Sequence, residues 1–422
     1  MRIGQFSYSA SVGGASRAVR KLHEALKDAG EDARLIVADR SGNDATDHPV
    51  SALGALVNRA EAYLDGGLSL LQRPQDRMLR GVATFPTTLP RRARHEGLDV
   101  VNLHWVGLGT ASVAQLGRLM ARTPTVWSLH DMWAVSGAEF YGDDETSRRR
   151  SEGYQRGNRN PEDRGLDIDR WVWNRKVSHF RTPVHIVTAS RWLAGLSRDS
   201  QLTSAWPVSV IPYSIDTELF RPGPSRPERE HFGIDPDLPV VLFGANKGPA
   251  DPRKGWDLLV EALRRVHDEG IRFRLAVFGR AEPELSARFP FPISWLGEIS
   301  GDETLARVYR LADVIAIPSR QDNLPLTGLE AQTSGIPVLA FNATGMPDVA
   351  VHDQTGYLAR PFDTADLARG LSHLLTHPDH RTRLSEEARR RALRLWSPDT
   401  IARQYVEVYR ETIDRHPGRV VG

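Results

Sequence analysis

Cysteine is absent from the 422 residues. Its absence excludes a disulfide framework, a thiol nucleophile and any thiolate-ligated zinc or iron–sulfur centre, and it fits a reducing cytoplasm. Long apolar runs are missing as well: no stretch approaches the roughly 18 to 20 apolar residues that a membrane-spanning helix requires. The N-terminal MRIGQFSYSA has no basic region followed by an apolar one, so it reads as a first strand and not as a signal peptide. An excess of one charge is also lacking. With 55 basic and 53 acidic residues the net charge is +2, which argues against a dedicated nucleic-acid binder.

What is present suits two cores. Hydrophobic residues make up 40% of the chain, enough for two domains of roughly 200 residues each. Apolar runs of strand length alternate with helical patterns, which implies parallel sheets with helices on both faces. Strands are expected at 1–7, 32–38, 100–103, 125–128 and 185–189, with a helix over 15–29 stopped by Gly30. A break follows at IPYSIDTELFRPGPSRP, where four prolines stand beside Gly223. The alternation then restarts with strands at 240–245, 273–279, 293–296, 314–318 and 337–341 and helices at 256–269 and 304–311. Two doubly wound units in tandem, with a ligand held at the cleft between them, is the architecture this predicts.

The densest chemistry lies in VIAIPSRQDNLPLTGLEAQTSGIPVLAF, residues 314–341. A strand ends at Pro318, a polar loop runs to Leu324, and Pro325 opens a helix that Gly335 closes. The loop therefore leaves the carboxyl end of a parallel strand, where open α/β sheets bind ligands. Asp322 precedes the helix and Glu330 stands on its second turn. Backbone N–H groups at a helix start can hold an anionic or hydroxyl-rich ligand, and a carboxylate one turn deeper can accept two ribose hydroxyls. The same residues also fit plainer roles, Asp322 as a helix cap and Glu330 as a solvated charge.

The segment resembles the acidic-x7-Glu motif of the retaining glycosyltransferases of family 4 (glycosyl transferases group 1), and in particular a branch with DNLP in the loop, as in colanic-acid and exopolysaccharide enzymes. The resemblance implies the α/β GT-B fold, with two Rossmann-like doubly wound domains facing a central cleft. It implies an N-terminal acceptor domain over 1–212, rejoined by a C-terminal helix at 396–418, and a nucleotide-sugar domain over 213–395. By likeness Glu330 binds the nucleotide ribose, while Asp322, Asn323, Leu324 and Pro325 face the donor sugar. Asp322 departs from the usual Glu, which shortens its reach by one methylene.

Further elements carry the likeness along nearly the whole chain. Gly13 and Gly14, opening the first helix, resemble the family's glycine-rich loop; their plainer reading is a tight turn. DPRKGWDLLVEAL places Lys254-Gly255 where the family has a Lys-Gly pair, with Lys254 stabilising the leaving diphosphate. The arginine usually found upstream has no clean counterpart, so Lys247 and Arg253 are both candidates for the second cation. Glu298 and Ser300 belong to a stretch resembling the one that closes over the base. GMPD at 345–348 resembles the family's turn near the diphosphate, and Gly356-Tyr357-Leu358 a structural turn.

In the first half, TVWSLHDMW sets His130 and Asp131 at a strand end, and the family's histidine after this strand lies near the reacting sugar. Asn102, His104 and Trp105 end the preceding strand and, with Asp131 and Trp133, are the acceptor candidates; either tryptophan could stack on a sugar or simply pack. The arginine-rich 142–181 stretch reads by default as a solvated loop. Cysteines found there in the resembling branch are missing, so no metal site carries over, and the Asp-x-Asp of LDIDR lies in a polar insert where such a pair is not expected to hold metal. The basic and apolar stretch 68–94 is a candidate membrane-surface patch, interrupted by a proline within LLQRPQDRMLRG.

These features predict a cytoplasmic, metal-independent, retaining transferase of the hexosyl or N-acetylhexosaminyl type. It would use a UDP-, GDP- or similar nucleotide sugar and a hydroxyl acceptor, with no other cofactor and with His130, Lys254 and Asp322 at the reacting centre. Two other readings compete. A nicotinamide-dependent oxidoreductase shares the doubly wound sheet but lacks GxGxxG here, and a relative that binds nucleotide sugars without transferring them is compatible with Asp322.

Overall fold

Short runs of Val, Ile, Leu and Phe bounded by turn residues form fully buried parallel strands, because helices cover both faces of such sheets. In a computed structural model, residues 1–10, 13–38, 52–73, 78–88, 96–107, 109–142, 144–245 and 250–416 are described. The chain divides into two units, Met1–Pro212 with Ile401–Gly422, and Tyr213–Thr400.

The first unit has a six-stranded parallel sheet of β1 (Arg2–Ser7), β2 (Asp32–Val37), β3 (Val100–Leu103), β4 (Thr125–Leu129), β5 (His185–Thr188) and β6 (Val208–Val210), in the order β2-β1-β3-β4-β5-β6. Its described helices are α1 (Gly13–Asp28), α2 (Ala52–Ser69), α3 (Val113–Met120), α4 (Asp144–Glu152), α5 (Ile168–His179) and α6 (Arg191–Asp199), together with the C-terminal helix Pro398–Arg415. Helix α1 forms because Ala18, Val19, Leu22, Ala25 and Leu26 recur on one buried face. It stops at Gly30, whose φ of 82° is the left-handed conformation that closes helices. In α3 the Ser112 side chain accepts from the Gln115 N–H and the Gln115 side chain returns the bond, a capping box.

The C-terminal helix completes this unit's core. Ile401, Ala402, Tyr405 and Tyr409 pack with Ile3, Leu22, Val100 and Val126. Two polar strand residues meet it: Asn102 Nδ2 donates to the Tyr409 hydroxyl at 2.7 Å, and Ser128 Oγ, 3.1 Å from the Tyr405 hydroxyl, donates to Asn102 Oδ1 at 2.9 Å.

The arginine-rich stretch is not a solvated loop. It folds into α4 and α5, and part of its charge turns inward while Arg148, Arg156 and Arg164 stay exposed. Arg149 and Arg150 are buried, Arg149 pairing with Asp167 at 2.7 Å and lying 4.4 Å from the Tyr154 ring centre, and Arg150 pairing with Asp199 at 3.3 Å. Asp169, buried, pairs with buried Arg80 at 3.1 Å. The two acids of the Asp-x-Asp are thus committed to arginines, and Asp167 also caps α5. Lys176, buried completely, donates to the carbonyls of Trp133, Ser136 and Gly137. Composition suggested solvation because Arg149, Arg150 and Lys176 were read without their partners.

The second unit repeats the plan with β7 (Val240–Ala245), β8 (Arg274–Gly279), β9 (Ile293–Gly297), β10 (Val314–Ile317), β11 (Val338–Phe341) and β12 (Gly356–Ala359), in the order β12-β11-β10-β7-β8-β9. Its described helices are α7 (Ser225–His231), α8 (Trp256–Asp268), α9 (Asp302–Arg310), α10 (Leu326–Thr333), α11 (Met346–Val349), α12 (Thr364–Thr376) and α13 (Pro378–Trp396). Helix α8 buries Leu259, Ala262, Leu263 and Val266 in a core shared with Leu367, Leu371 and Leu374 of α12. Gly356-Tyr357-Leu358, expected as a turn, is instead the edge strand β12, paired in parallel with β11. In both sheets the strand order reverses beside the first strand, between β1 and β3 and between β7 and β10. Such a reversal, beside the carboxyl ends of the strands, is where open α/β sheets bind their ligands.

Candidate functional site

In the second unit the loops that follow β7 and β10 meet at this reversal point. Asp251 caps a single 3-10 turn, Pro252–Lys254, and Gly255 ends it with φ 67°. Glycine is required there: a Cβ would lie 2.0 Å from the Pro318 carbonyl oxygen. The chain after β10 is bound to this turn along its length. The Arg320 N–H donates to the Arg253 carbonyl at 2.8 Å, and the Arg320 guanidinium grips both oxygens of Asp257 at 2.7 and 2.6 Å and the Pro252 carbonyl at 3.0 Å. That fork holds the Asp257 carboxyl below the usual carboxylate range and raises Arg320.

Across the seam so formed, Lys254 Nζ donates to Asp322 Oδ2 at 2.5 Å. A third loop braces the acid. The Asp322 carbonyl accepts from the Gly345 N–H at 3.0 Å, and the Asp322 N–H lies 3.4 Å from Thr344 Oγ1. Gly345 is dictated by contact, since a Cβ would sit 1.4 Å from the Asn323 carbonyl oxygen. Asn323 and Leu324 are buried, and Asn323 Nδ2 lies 3.4 Å from the Tyr213 hydroxyl. Pro325 occupies the N-cap position of α10. The Ser319 hydroxyl oxygen is buried and has no hydrogen-bond partner among the described residues.

Glu330 is not a solvated charge: it is wholly buried on the second turn of α10 and accepts from the Tyr309 hydroxyl at 2.9 Å. Tyr309 is itself held edge-on by Phe220 and Phe278. Asp322 does not cap α10; its carboxylate faces Lys254.

The remaining donor candidates are dispersed. Arg253 turns back to Asp251, its guanidinium 2.9 Å from Oδ2. Lys247 lies outside the described residues. Glu298 and Ser300 are exposed beyond β9, two strands from β7, and the structure does not bring them to Lys254. Gly14 lies in the first unit at the start of α1, exposed, and it is Gly13 beside it, with φ 87°, that needs to be glycine.

In the first unit the loops after β3 and β4 bring His104 and His130 together, His104 Nδ1 lying 3.2 Å from His130 Nε2. Burial pushes His130 down to about 4, and burial with the neighbouring ring holds His104 well below the usual histidine range. Both rings are therefore neutral at pH 7. Trp105 is half-buried, edge-on to Tyr8 and against Phe140. Beside the histidines, Asp131 and Phe140 help line a cavity of about 10 Å³, room for about one water molecule and far too small for a sugar.

Two acceptor candidates are corrected by their contacts. Asn102 is completely buried, both ends of its amide used by Tyr409 and Ser128. Trp133 is a core residue: its indole N–H donates to the Gly81 carbonyl at 2.7 Å and Lys176 Nζ sits 3.7 Å from its ring centre. Asp131 Oδ1 accepts from the Trp133 N–H at 2.9 Å, shaping the turn after β4. Arg320, Tyr309 and Thr344 escaped sequence reasoning. Arg320 stood inside the recognised loop; nothing local distinguishes Tyr309 from any other buried aromatic on a helix.

Among known proteins, residues 225–391 match the family Glycosyl transferases group 1 and residues 12–219 match Glycosyltransferase Family 4. A curated relative, D-inositol 3-phosphate glycosyltransferase of Saccharomonospora viridis, is 33% identical over 224 residues, covering 49% of this chain and 50% of the relative. The chain thus spans about half the length of the first curated relatives it matches. Sucrose-phosphate synthase from Thermosynechococcus elongatus has a similar fold, with TM-score 0.67 at 18% identity over 98% of this chain and 99% of that one. So does Anabaena HepE, solved in complex with UDP and glucose, with TM-score 0.62 at 16% identity over 97% of this chain and 100% of that one. Two matched regions that together span most of the sequence, and two six-stranded Rossmann-like sheets, place the chain in the glycosyltransferases of group 1 and family 4, with the GT-B fold.

Proposed function

We propose that the protein transfers a hexosyl or N-acetylhexosaminyl group from a nucleoside diphosphate sugar to a hydroxyl acceptor, with retention of anomeric configuration. The observation that carries this reading is the Lys254–Asp322 pair at the reversal point of the second sheet, with the buried carboxylate of Glu330 behind it on α10. HepE, with its UDP, makes a uridine diphosphate sugar the first donor to test, with guanosine donors next.

In this reading Glu330, held by Tyr309, accepts the ribose hydroxyls, and the backbone from Asp322 to Pro325 orients the sugar. The bond from the anomeric carbon to the phosphate oxygen breaks, and Lys254 offsets the charge that develops on the diphosphate without a required metal. The acceptor oxygen bonds to the anomeric carbon on the same face, and its proton passes to a donor phosphate oxygen. His130 takes part as a neutral hydrogen-bonding ring, since burial keeps it uncharged near pH 7. Glycans, lipid-linked glycans and small aglycones are the acceptor classes.

The test is a panel of UDP- and GDP-sugars scored by thermal stabilisation of the protein, by donor hydrolysis, and by the anomeric configuration of any product. Stabilisation by a nucleoside diphosphate with slow hydrolysis of its sugar is expected. Stabilisation by a nicotinamide dinucleotide instead, or an inverted product, would overturn the proposal.

A further inference from the structure

Helix α2 is inside out. A surface helix normally buries an apolar stripe and exposes its polar face. Here Asn58, Glu61 and Asp65 are buried, as is Gln72 in the 3-10 turn Leu70–Gln72 that follows. Each of three has an inward partner: Asn58 Nδ2 donates to the Ala38 carbonyl at 3.0 Å, Asp65 accepts from the Val82 N–H at 2.7 Å, and Gln72 bonds Asp169. These bonds fix which side of α2 faces the unit. The side left outward carries Leu56, Tyr63, Leu64 and Leu70, exposed by 64, 77, 54 and 74%. Leu56, Tyr63 and Leu70 recur every seven residues, a single stripe about two turns apart.

The stripe continues onto a neighbouring segment. The Leu166 N–H donates to the Leu71 carbonyl at 3.0 Å and the Arg164 N–H to the Arg73 carbonyl at 3.3 Å, which sets exposed Leu166 beside exposed Leu71. Contiguous apolar surface of this kind marks an interaction site. Its charge says what kind. Both acids of α2 are buried, so its exposed side carries a cation, Arg59, and no carboxylate. Arg73 and Arg164 stand exposed at the junction with Leu166, and Arg159 donates to the carbonyls of Arg164 and Gly165 there. Of the acids nearby in the chain, Asp167 and Asp169 pair with Arg149 and Arg80, and Glu162 and Asp163 stand among Arg156, Arg159, Arg164 and Arg170. Tyr63 and Trp171, both exposed, are of the types that settle at headgroup depth.

We infer that α2 and the 164–171 segment form an interfacial surface that binds an anionic lipid bilayer, the apolar stripe entering the headgroup boundary and the arginines meeting lipid phosphates. It lies flat on the membrane; no described helix is long and apolar enough to cross one. This surface stands apart from the transfer reaction and does not depend on it.

The experiment is co-sedimentation of the full chain with vesicles of phosphatidylglycerol mixed with phosphatidylcholine, and with phosphatidylcholine alone. Binding to the anionic vesicles that weakens with added salt is expected. A Tyr63→Asp/Leu70→Asp variant and an Arg73→Glu/Arg164→Glu variant should each lower the partition coefficient on the order of tenfold. All four side chains are exposed, so the melting temperature should hold and serves as the control for folding. Absence of binding to anionic vesicles, or binding that neither variant changes, overturns the inference. So does a dimer seen by light scattering that the Tyr63→Asp/Leu70→Asp variant dissolves in a chain that ignores vesicles, since a second copy would then cover the stripe.

Discussion

Replacing Lys254 by Met separates a structural role from a functional one, because the two predict effects of very different size. Among the described residues the ammonium makes one ion pair, with Asp322 at 2.5 Å, and the two side chains are 25% and 11% exposed. A pair so open to solvent contributes about 1 kcal/mol or less. Methionine keeps most of the stem volume, so packing changes little. For a unit of this size that energy corresponds to a fall in melting temperature of about 2–4 °C. If Lys254 meets the departing diphosphate, its loss instead costs a transition-state interaction of about 3–4 kcal/mol, on the order of 10² to 10³ in kcat. Donor hydrolysis and thermal unfolding measured on the same preparation read both numbers. A variant that turns over within threefold of the parent would refute the assignment, and one that melts more than about 10 °C lower would mean the pair is chiefly structural.

Three further outcomes follow from contacts in the two units. Gly345→Ala puts a Cβ into the Asn323 carbonyl, so it should cost about 1–3 kcal/mol of stability and raise the donor KM, measured by denaturant titration and kinetics. Tyr309→Phe removes the hydroxyl that donates to buried Glu330; a loss of about 1–3 kcal/mol, with donor KM rising more than kcat falls, is expected, and an unchanged KM would count against Glu330 as the ribose ligand. Burial and neighbouring Asp65 push Glu61 up to about 8, above its unfolded value near 4.5, so the folded state holds the proton more tightly and the stability Glu61 contributes, present below about pH 4.5, is lost as pH rises towards 8. Glu61→Gln should therefore gain on the parent between pH 5 and 8 by on the order of 2 kcal/mol, read from unfolding midpoints across that range.

The strands were legible because a parallel sheet covered on both faces leaves a continuous apolar run, as in VVLFGA and VIAI. The loop after β10 was legible because its position at a strand end and its DNLP spacing are local properties. What a strand-end position could not reveal is where each side chain's partner lies. Asn102 looked like a ligand-facing residue, yet the Tyr409 hydroxyl that occupies it is 307 residues away in the chain. Trp133 could stack or pack; Gly81 and Lys176 settled it as core. Gly356 to Leu358 read as a turn because an edge strand of four residues carries little pattern of its own.

The sequence by itself determined the two doubly wound units, the family resemblance and the acidic-x7-Glu segment, since these depend on short-range periodicity and spacing. Tertiary structure alone decided that Lys254 faces Asp322, that Tyr309 holds Glu330, that Arg149, Arg150 and Lys176 of the arginine-rich stretch are buried against partners, and that α2 turns its polar side inward. The reason is physical: a charge or amide tolerates burial only when a partner meets it, and these partners come from elements tens to hundreds of residues apart.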